Sequence, residues 1–285
     1  MTNRTNAPEP IFNLLARLDW SEWIPFSEDR TRLKGLPRAS GIYQIRQAAS
    51  DTLCYIGETG RDLRERLSSA LKGVLGDTMP YNDPHTAAPG LWCYRQEGYD
   101  FECRVAHIEL STHDRRSLET LLIWQHRLQH GESPLCNLGR FHSRYTKSGS
   151  RKSGERGQAL GDTDKSNPAG DSSAKPLKPS GDAFGEDWMG LTWTPFFELR
   201  ESDPPPTAGL YRIAVNGSIA YIGESTSLET RVIAHRRRDW NGVAKVSHWL
   251  FEGHPPHHHR LELENDLIAG HILQKGEAPV HQYGG

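Results

Sequence analysis

The feature that most limits how this chain can fold is that its two ends repeat each other. Trp23-Ile24-Pro25-Phe26-Ser27-Glu28 matches Trp193-Thr194-Pro195-Phe196-Phe197-Glu198, and Gly41-Ile42-Tyr43-Gln44-Ile45 matches Gly209-Leu210-Tyr211-Arg212-Ile213. Tyr55-Ile56-Gly57-Glu58 then matches Tyr221-Ile222-Gly223-Glu224, Leu118-Glu119 matches Leu263-Glu264, and Gly131-Glu132-Ser133-Pro134 matches Gly276-Glu277-Ala278-Pro279. The same landmarks recur in the same order, so one structural unit has been duplicated. With 285 residues in all, and about 150 residues per domain as a prior, two small domains are expected. Their boundaries fall at 11–145 and 188–285. Between them, residues 146–187 hold seven Gly, seven Ser and three Pro, with Leu160, Leu177 and Phe184 the only larger apolar residues. That composition predicts a disordered, basic tether, carrying Lys147, Arg151, Lys152 and Arg156.

Each unit alternates β-rich and helical patterns. In the first, 41–47 and 53–57 are short apolar runs joined as a hairpin. Asp62 caps a helix with Leu63, Leu67, Ala70 and Leu71 at helical spacing, and 101–110 reads as a third strand. A helix of about 16 residues follows Asp114 and is stopped by Gly131 and Pro134. In the second unit the strands are expected at 209–215, 219–223 and 246–251, with helices through Leu228 and Val232 and over 261–274. The fold class is therefore α+β: two copies of a small three-stranded antiparallel sheet flanked by helices, joined by a disordered linker.

On that frame the polar repeats fall together. Tyr43, Tyr55, Arg66 and Glu119 in the first unit correspond to Tyr211, Tyr221, Arg231 and Glu264 in the second, and Asn137 stands where the second has Gln282. A packing-only explanation predicts that apolar positions persist and polar ones drift, yet both tyrosines, the arginine and the carboxylate survive in both copies. Such a set suits phosphodiester hydrolysis. Arginine gives a permanent bidentate charge for phosphate oxygens, one carboxylate can hold a mostly hydrated Mg²⁺, and a tyrosine hydroxyl can orient or deprotonate water if nearby charges lower its pKa.

Gly41-Ile42-Tyr43, eleven residues, then Tyr55-Ile56-Gly57 resembles the GIY-YIG nuclease family. Gly209-Leu210-Tyr211, nine residues, then Tyr221-Ile222-Gly223 resembles a contracted version of the same pattern. The resemblance extends over about 40–140 and 208–283. It implies a divalent-metal-dependent endonuclease using Mg²⁺ (or Mn²⁺), with Glu119 and Glu264 as metal ligands at a helix start and Arg66, Arg231 and Asn137 in the catalytic set. Many family members carry a histidine four residues after the arginine. His235 holds that place in the second copy, whereas the first has Ala70.

Other signals are weaker. His254, His257, His258 and His259 are expected on a solvated or DNA-facing loop, since consecutive histidines on a loop cannot all face one ion. Residues 72–95 are an insertion absent from the second copy, expected to enter a groove and read bases. Glu58 and Glu224, one after each YIG, could assist a metal. Arg61, Arg64, Lys72, Arg140, Arg144, Arg236, Arg237 and Arg238 are candidate DNA contacts. No cysteine pairs in a C-x-x-C pattern and no apolar run nears the ~18 residues of a membrane span, so a cytoplasmic location is expected. A net charge of −2 excludes a globally basic coat. The expected function is an endonuclease cutting both strands of duplex DNA as an internal pseudo-dimer, most akin to a restriction enzyme. The alternatives are one cutting copy beside a DNA-binding one, or an inert tandem DNA-binding protein.

Overall fold

The computed structural model describes residues 9–27, 29–81, 85–149 and 154–284. Glu28, Arg151, Lys152 and residues 82–84 of the insertion lie outside the described residues. The first unit contains β1 (Ile24–Pro25), α1 (Thr31–Lys34), β2 (Gly41–Gln47), β3 (Leu53–Thr59), α2 (Leu63–Val74), α3 (Ala88–Gln96), β4 (Phe101–His107) and α4 (Thr112–His130). The second contains β5 (Phe197–Glu198), β6 (Gly209–Val215), β7 (Ser218–Ser225), α5 (Leu228–Arg236), β8 (Ala244–Leu250) and α6 (His257–Lys275). Each unit builds an antiparallel sheet of four strands, ordered β1-β4-β2-β3 and β5-β8-β6-β7. The fourth strand corrects the expected three. At two residues each, and with a proline in β1, these edge strands offer no alternation for a sequence pattern to reveal.

Pairing registers also correct the repeat alignment. Ile24 pairs with Cys103, and Phe197 pairs with Val246, the counterpart of Cys103 in β8. Ile24 therefore corresponds to Phe197 and not to Thr194. The matching Trp-x-Pro-Phe strings are offset by three residues in space.

Helix boundaries follow their caps. The Asp62 carboxylate accepts the amide of Glu65, and Ser227 does the same for Thr230 at the start of α5. The cap of α4 is Ser111, accepting from Asp114, so that helix begins earlier and runs 19 residues. Gly131 and Gly276 end α4 and α6 at φ 80° and 85°, in the left-handed conformation a Cβ disfavours. The histidines at 257–259 form the first turn of α6 and not a loop.

The two units join through α4 and α6. Asn265 Nδ2 donates to the carbonyl of Thr120 at 3.2 Å. These two residues follow Glu119 and Glu264 and are repeat equivalents, so each helix meets its counterpart at the same position, as across a two-fold axis. Leu121 and Trp124 share one core cluster with Leu263, Leu267 and Ile268. Arg127, fully buried, donates to both Asp266 oxygens at 2.8 and 3.0 Å and lies 3.4 Å from Glu262.

The linker is laid onto this junction and is not a loose tether over its described residues. The amides of Ala174 and Leu177 donate to Glu262 (2.7 Å) and Asp266 (2.9 Å), and Trp124 Nε1 donates to the Leu177 carbonyl. Its Gly/Ser composition buries little apolar surface, but its backbone amides add hydrogen bonds to the two buried carboxylates that Arg127 also holds. Among the described residues no helix is long and apolar enough to cross a membrane.

Candidate active site

The hairpin β2–β3 explains why the sequence keeps glycines where it does. Tyr43 and Gly57 are cross-strand partners, and a Cβ on Gly57 would fall 2.5 Å from the Tyr43 ring carbon that bears the hydroxyl. The tyrosine therefore lies across the glycine. Tyr211 and Gly223 repeat the pairing, and a Cβ on Gly223 would collide with the Tyr211 hydroxyl. Both rings are fully buried, with the second tyrosines beside them at ring-centre distances of 6.0 Å (Tyr43–Tyr55) and 5.9 Å (Tyr211–Tyr221).

From the following helix the arginine reaches the same hydroxyl. Arg66 Nε donates to Tyr43 Oη at 3.3 Å, and Arg231 Nε donates to Tyr211 Oη at 2.9 Å, with Arg231 Nη2 3.4 Å from Tyr221 Oη. The hydrogen bond it donates to Tyr211 is the main cause that raises Arg231 further above its ordinary range. Burial raises the hydroxyls of Tyr43, Tyr55 (to about 12) and Tyr211, so they stay protonated at neutral pH and do not fall as the sequence reading allowed.

Histidine is where the two copies differ in sequence and agree in space. His235 Nε2 sits 2.9 Å from Tyr211 Oη, its ring 5.4 and 5.3 Å from the rings of Tyr211 and Tyr221. In the first copy His85 Nε2 sits 2.9 Å from Tyr43 Oη, its ring 5.7 and 5.2 Å from those of Tyr43 and Tyr55. Sequence reasoning missed His85 because it searched α2, where Ala70 stands. The only signal was a histidine inside the insertion.

Glu119 and Glu264 are each the eighth residue of their helix, two turns in and not at its start. Both are half-buried on the wall of one cleft of about 910 Å³, which Tyr55, Asn137, Tyr221 and Arg231 also line. Withdrawal from water, with Glu58 or Glu224 nearby, pushes each carboxyl up to about 8. Glu58 and Glu224 are themselves held by Arg115 and Arg260, at 2.5 and 2.6 Å.

Asn137 and Gln282 do one job. Asn137 clamps Ile56, accepting from its amide and donating to its carbonyl, both at 2.8 Å; Gln282 clamps Ile222 in the same way at 3.1 Å. They peg the edge strands β3 and β7, so the asparagine-to-glutamine difference leaves the clamp intact.

Several expected DNA contacts are occupied within the chain. Arg64 donates to the Leu36 carbonyl, Arg140 to Glu132 and the Ser133 carbonyl, Arg144 to Leu160 and Gly161, and Arg236 to Leu199 and Ser202. Arg61, Lys72 and Arg237 are exposed, and Arg238 stacks on Trp240 and lines the cleft. His258 and His259 both reach the Ser172 carbonyl. Among the described residues no three His, Cys, Asp or Glu side chains gather into a metal-binding group. Searches of family models, curated proteins and solved structures return no match to this chain.

Proposed function

We propose that this chain is a divalent-metal-dependent endonuclease of the GIY-YIG type that hydrolyses duplex DNA, one strand per repeat, and acts in restriction of foreign DNA. One observation carries the reading: in both copies a buried tyrosine hydroxyl meets an arginine Nε and a histidine Nε2, and the second tyrosine and the carboxyl of each copy line one shared cleft.

The residues fit a hydrated divalent cation. Each of Glu119 and Glu264 is a half-buried carboxyl held at about 8, so a cation at its oxygens would relieve the cost of its charge. A single carboxylate suits Mg²⁺ or Mn²⁺ that keeps most of its water, whereas an all-protein cage would need the cluster missing among the described residues. When bound, such an ion supplies Lewis-acid charge at the reacting phosphate.

The rest falls to the chain's own groups. Arg66 and Arg231 hold phosphate oxygens. Tyr43 and Tyr211, too buried to reach substrate, aim those guanidiniums by accepting from Nε. Tyr55 and Tyr221 line the cleft, where their hydroxyls orient water or phosphate as donors. Exposed Arg61, Lys72 and Arg237 would contact the backbone further along the duplex.

Cleavage of supercoiled plasmid with Mg²⁺ tests the proposal. Wild type should yield linear DNA, and Glu119→Ala or Glu264→Ala singly should yield nicked circles. If one single variant still makes linear DNA at the wild-type rate, that copy is a binding unit. Absence of cutting on unmodified and modified DNA alike would sink the enzyme reading.

A further inference from the structure

Resting on the reading just proposed, we infer that His85 is the positioning histidine of the first site, and that the segment 85–87 presents it to Tyr43 in place of the histidine that α2 lacks.

In the second copy, the histidine comes from α5, one turn after Arg231, and its Nε2 meets the hydroxyl that also receives Arg231 Nε. In the first, the helix is the same, but Ala70 occupies the equivalent position with no exposed surface. No imidazole starts there. Instead the chain leaves α2, crosses the insertion and returns with His85, whose Nε2 meets the equivalent hydroxyl at the same 2.9 Å. The ring distances to the paired tyrosines agree between copies to within 0.3 Å. Two backbones that enter from different elements have converged on one imidazole position.

The hydrogen bonds also fix what the ring does. Ala87 donates its amide to His85 Nδ1 at 3.3 Å, so the neutral ring carries its proton on Nε2. His85 Nε2–H and Arg66 Nε–H then both donate to the Tyr43 oxygen, and the Tyr43 proton turns elsewhere. With no exposed surface, His85 cannot meet a substrate. It acts through Tyr43 on the direction of the Arg66 guanidinium. The ring is neutral at working pH because burial holds it down to about 3, as it holds His235 at about 4. Thr86, next in the chain, lies 3.2 Å from Tyr55 Oη, so the same segment touches both tyrosines.

The test isolates the first site in full-length Glu264→Ala protein and measures plasmid nicking with Mg²⁺. His85→Ala should lower nicking at least tenfold, and His85→Ala with Ala70→His should recover most of the loss, because the relocated ring starts where His235 starts. A purely structural role for His85 would not be repaired from another helix. Should His85→Ala fold poorly, judged by its melting curve, His85→Gln keeps an N–H donor to Tyr43 and should retain more nicking than His85→Leu, which has none. A second readout is independent of cutting: the ¹⁵N-arginine Nε–H signal of Arg66 should be protected from exchange in wild type, lost in His85→Ala and regained in the relocated variant. Unchanged nicking and an unchanged Arg66 signal in His85→Ala would overturn the inference while leaving the endonuclease reading intact. If the wild-type chain cuts no DNA, that reading falls, and the Arg66 signal alone decides whether His85 positions the arginine.

Discussion

At the scale of single residues, the two half-buried carboxyls make stability depend on pH in a defined direction. Glu119 and Glu264 sit at about 8 in the folded chain, above the ordinary 4.5 of an unfolded one. Between those values the native state binds more protons than the unfolded state, so these groups contribute stability that is full at low pH and lost as pH rises towards 8. Buried His85 and His235 act oppositely. Their pKa is depressed, so they cost stability as pH falls below the ordinary 6.5. The wild-type profile sums both, and the difference from a variant isolates the carboxyls. In EDTA at pH 8.5, Glu119→Gln with Glu264→Gln should melt several degrees above wild type, with the gap closing at pH 5. If the proposed reading holds, Mg²⁺ should raise the wild-type melting temperature at pH 8.5 and leave the double variant unmoved. Equal melting of the two proteins in EDTA at both pH values would mean that the carboxyls are not withdrawn from water.

At the scale of elements, much was legible because the sequence repeats. The strands β2 and β3, the Asp62 cap, the glycine stops of α4 and α6 and the Tyr-Tyr-Arg-Glu set all follow from local pattern read twice. What stayed hidden was held by long-range partners. The two-residue edge strands exist only through pairing with β4 and β8, and the linker's order comes from Glu262 and Asp266, some 90 residues away in sequence. Relocation hid more. Arg104 on β4 stacks on Trp20 and Trp23, while in the second copy Arg212 on β6, at the opposite member of the corresponding cross-strand pair, stacks on Trp193 and Phe196. His85 is a second relocation. An alignment sees a lost residue where the fold keeps a group.

The junction of α4 and α6 carries its own prediction at this scale. Arg127 is fully buried between the units, so Arg127→Ala would strand Asp266 and Glu262 without their cation and cost about 3–5 kcal/mol. Arg127→Met with Asp266→Leu should recover only part of that. The Leu177 amide and Ala174 carbonyl would lose these partners. Urea denaturation of the three proteins measures it. A loss below 1 kcal/mol for Arg127→Ala would show that water reaches the network.

At the scale of the whole molecule, the linker and the helix junction make one body of what composition suggested were two tethered ones. A compact chain of this length has a radius of gyration of about 19 Å, and scattering from the full chain should give that value, where freely tethered units would give a larger one. Compactness has a consequence for catalysis on the reading proposed above. Tyr55 and Glu119 face the same cleft as Tyr221, Arg231 and Glu264, and the residues that follow the two carboxylates, Thr120 and Asn265, meet each other across the junction, as a two-fold relation between the repeats would place them. The strands of a duplex are likewise related by two-fold axes, so a duplex seated on that two-fold presents one strand to each repeat. Both cuts can then occur in a single residence, without a second protein molecule. Linear plasmid should form in direct proportion to protein concentration, with few nicked circles accumulating at limiting enzyme. A quadratic dependence on concentration, or a long nicked phase before linear product, would mean that each chain commits one site at a time and that the duplicated set serves two separate encounters.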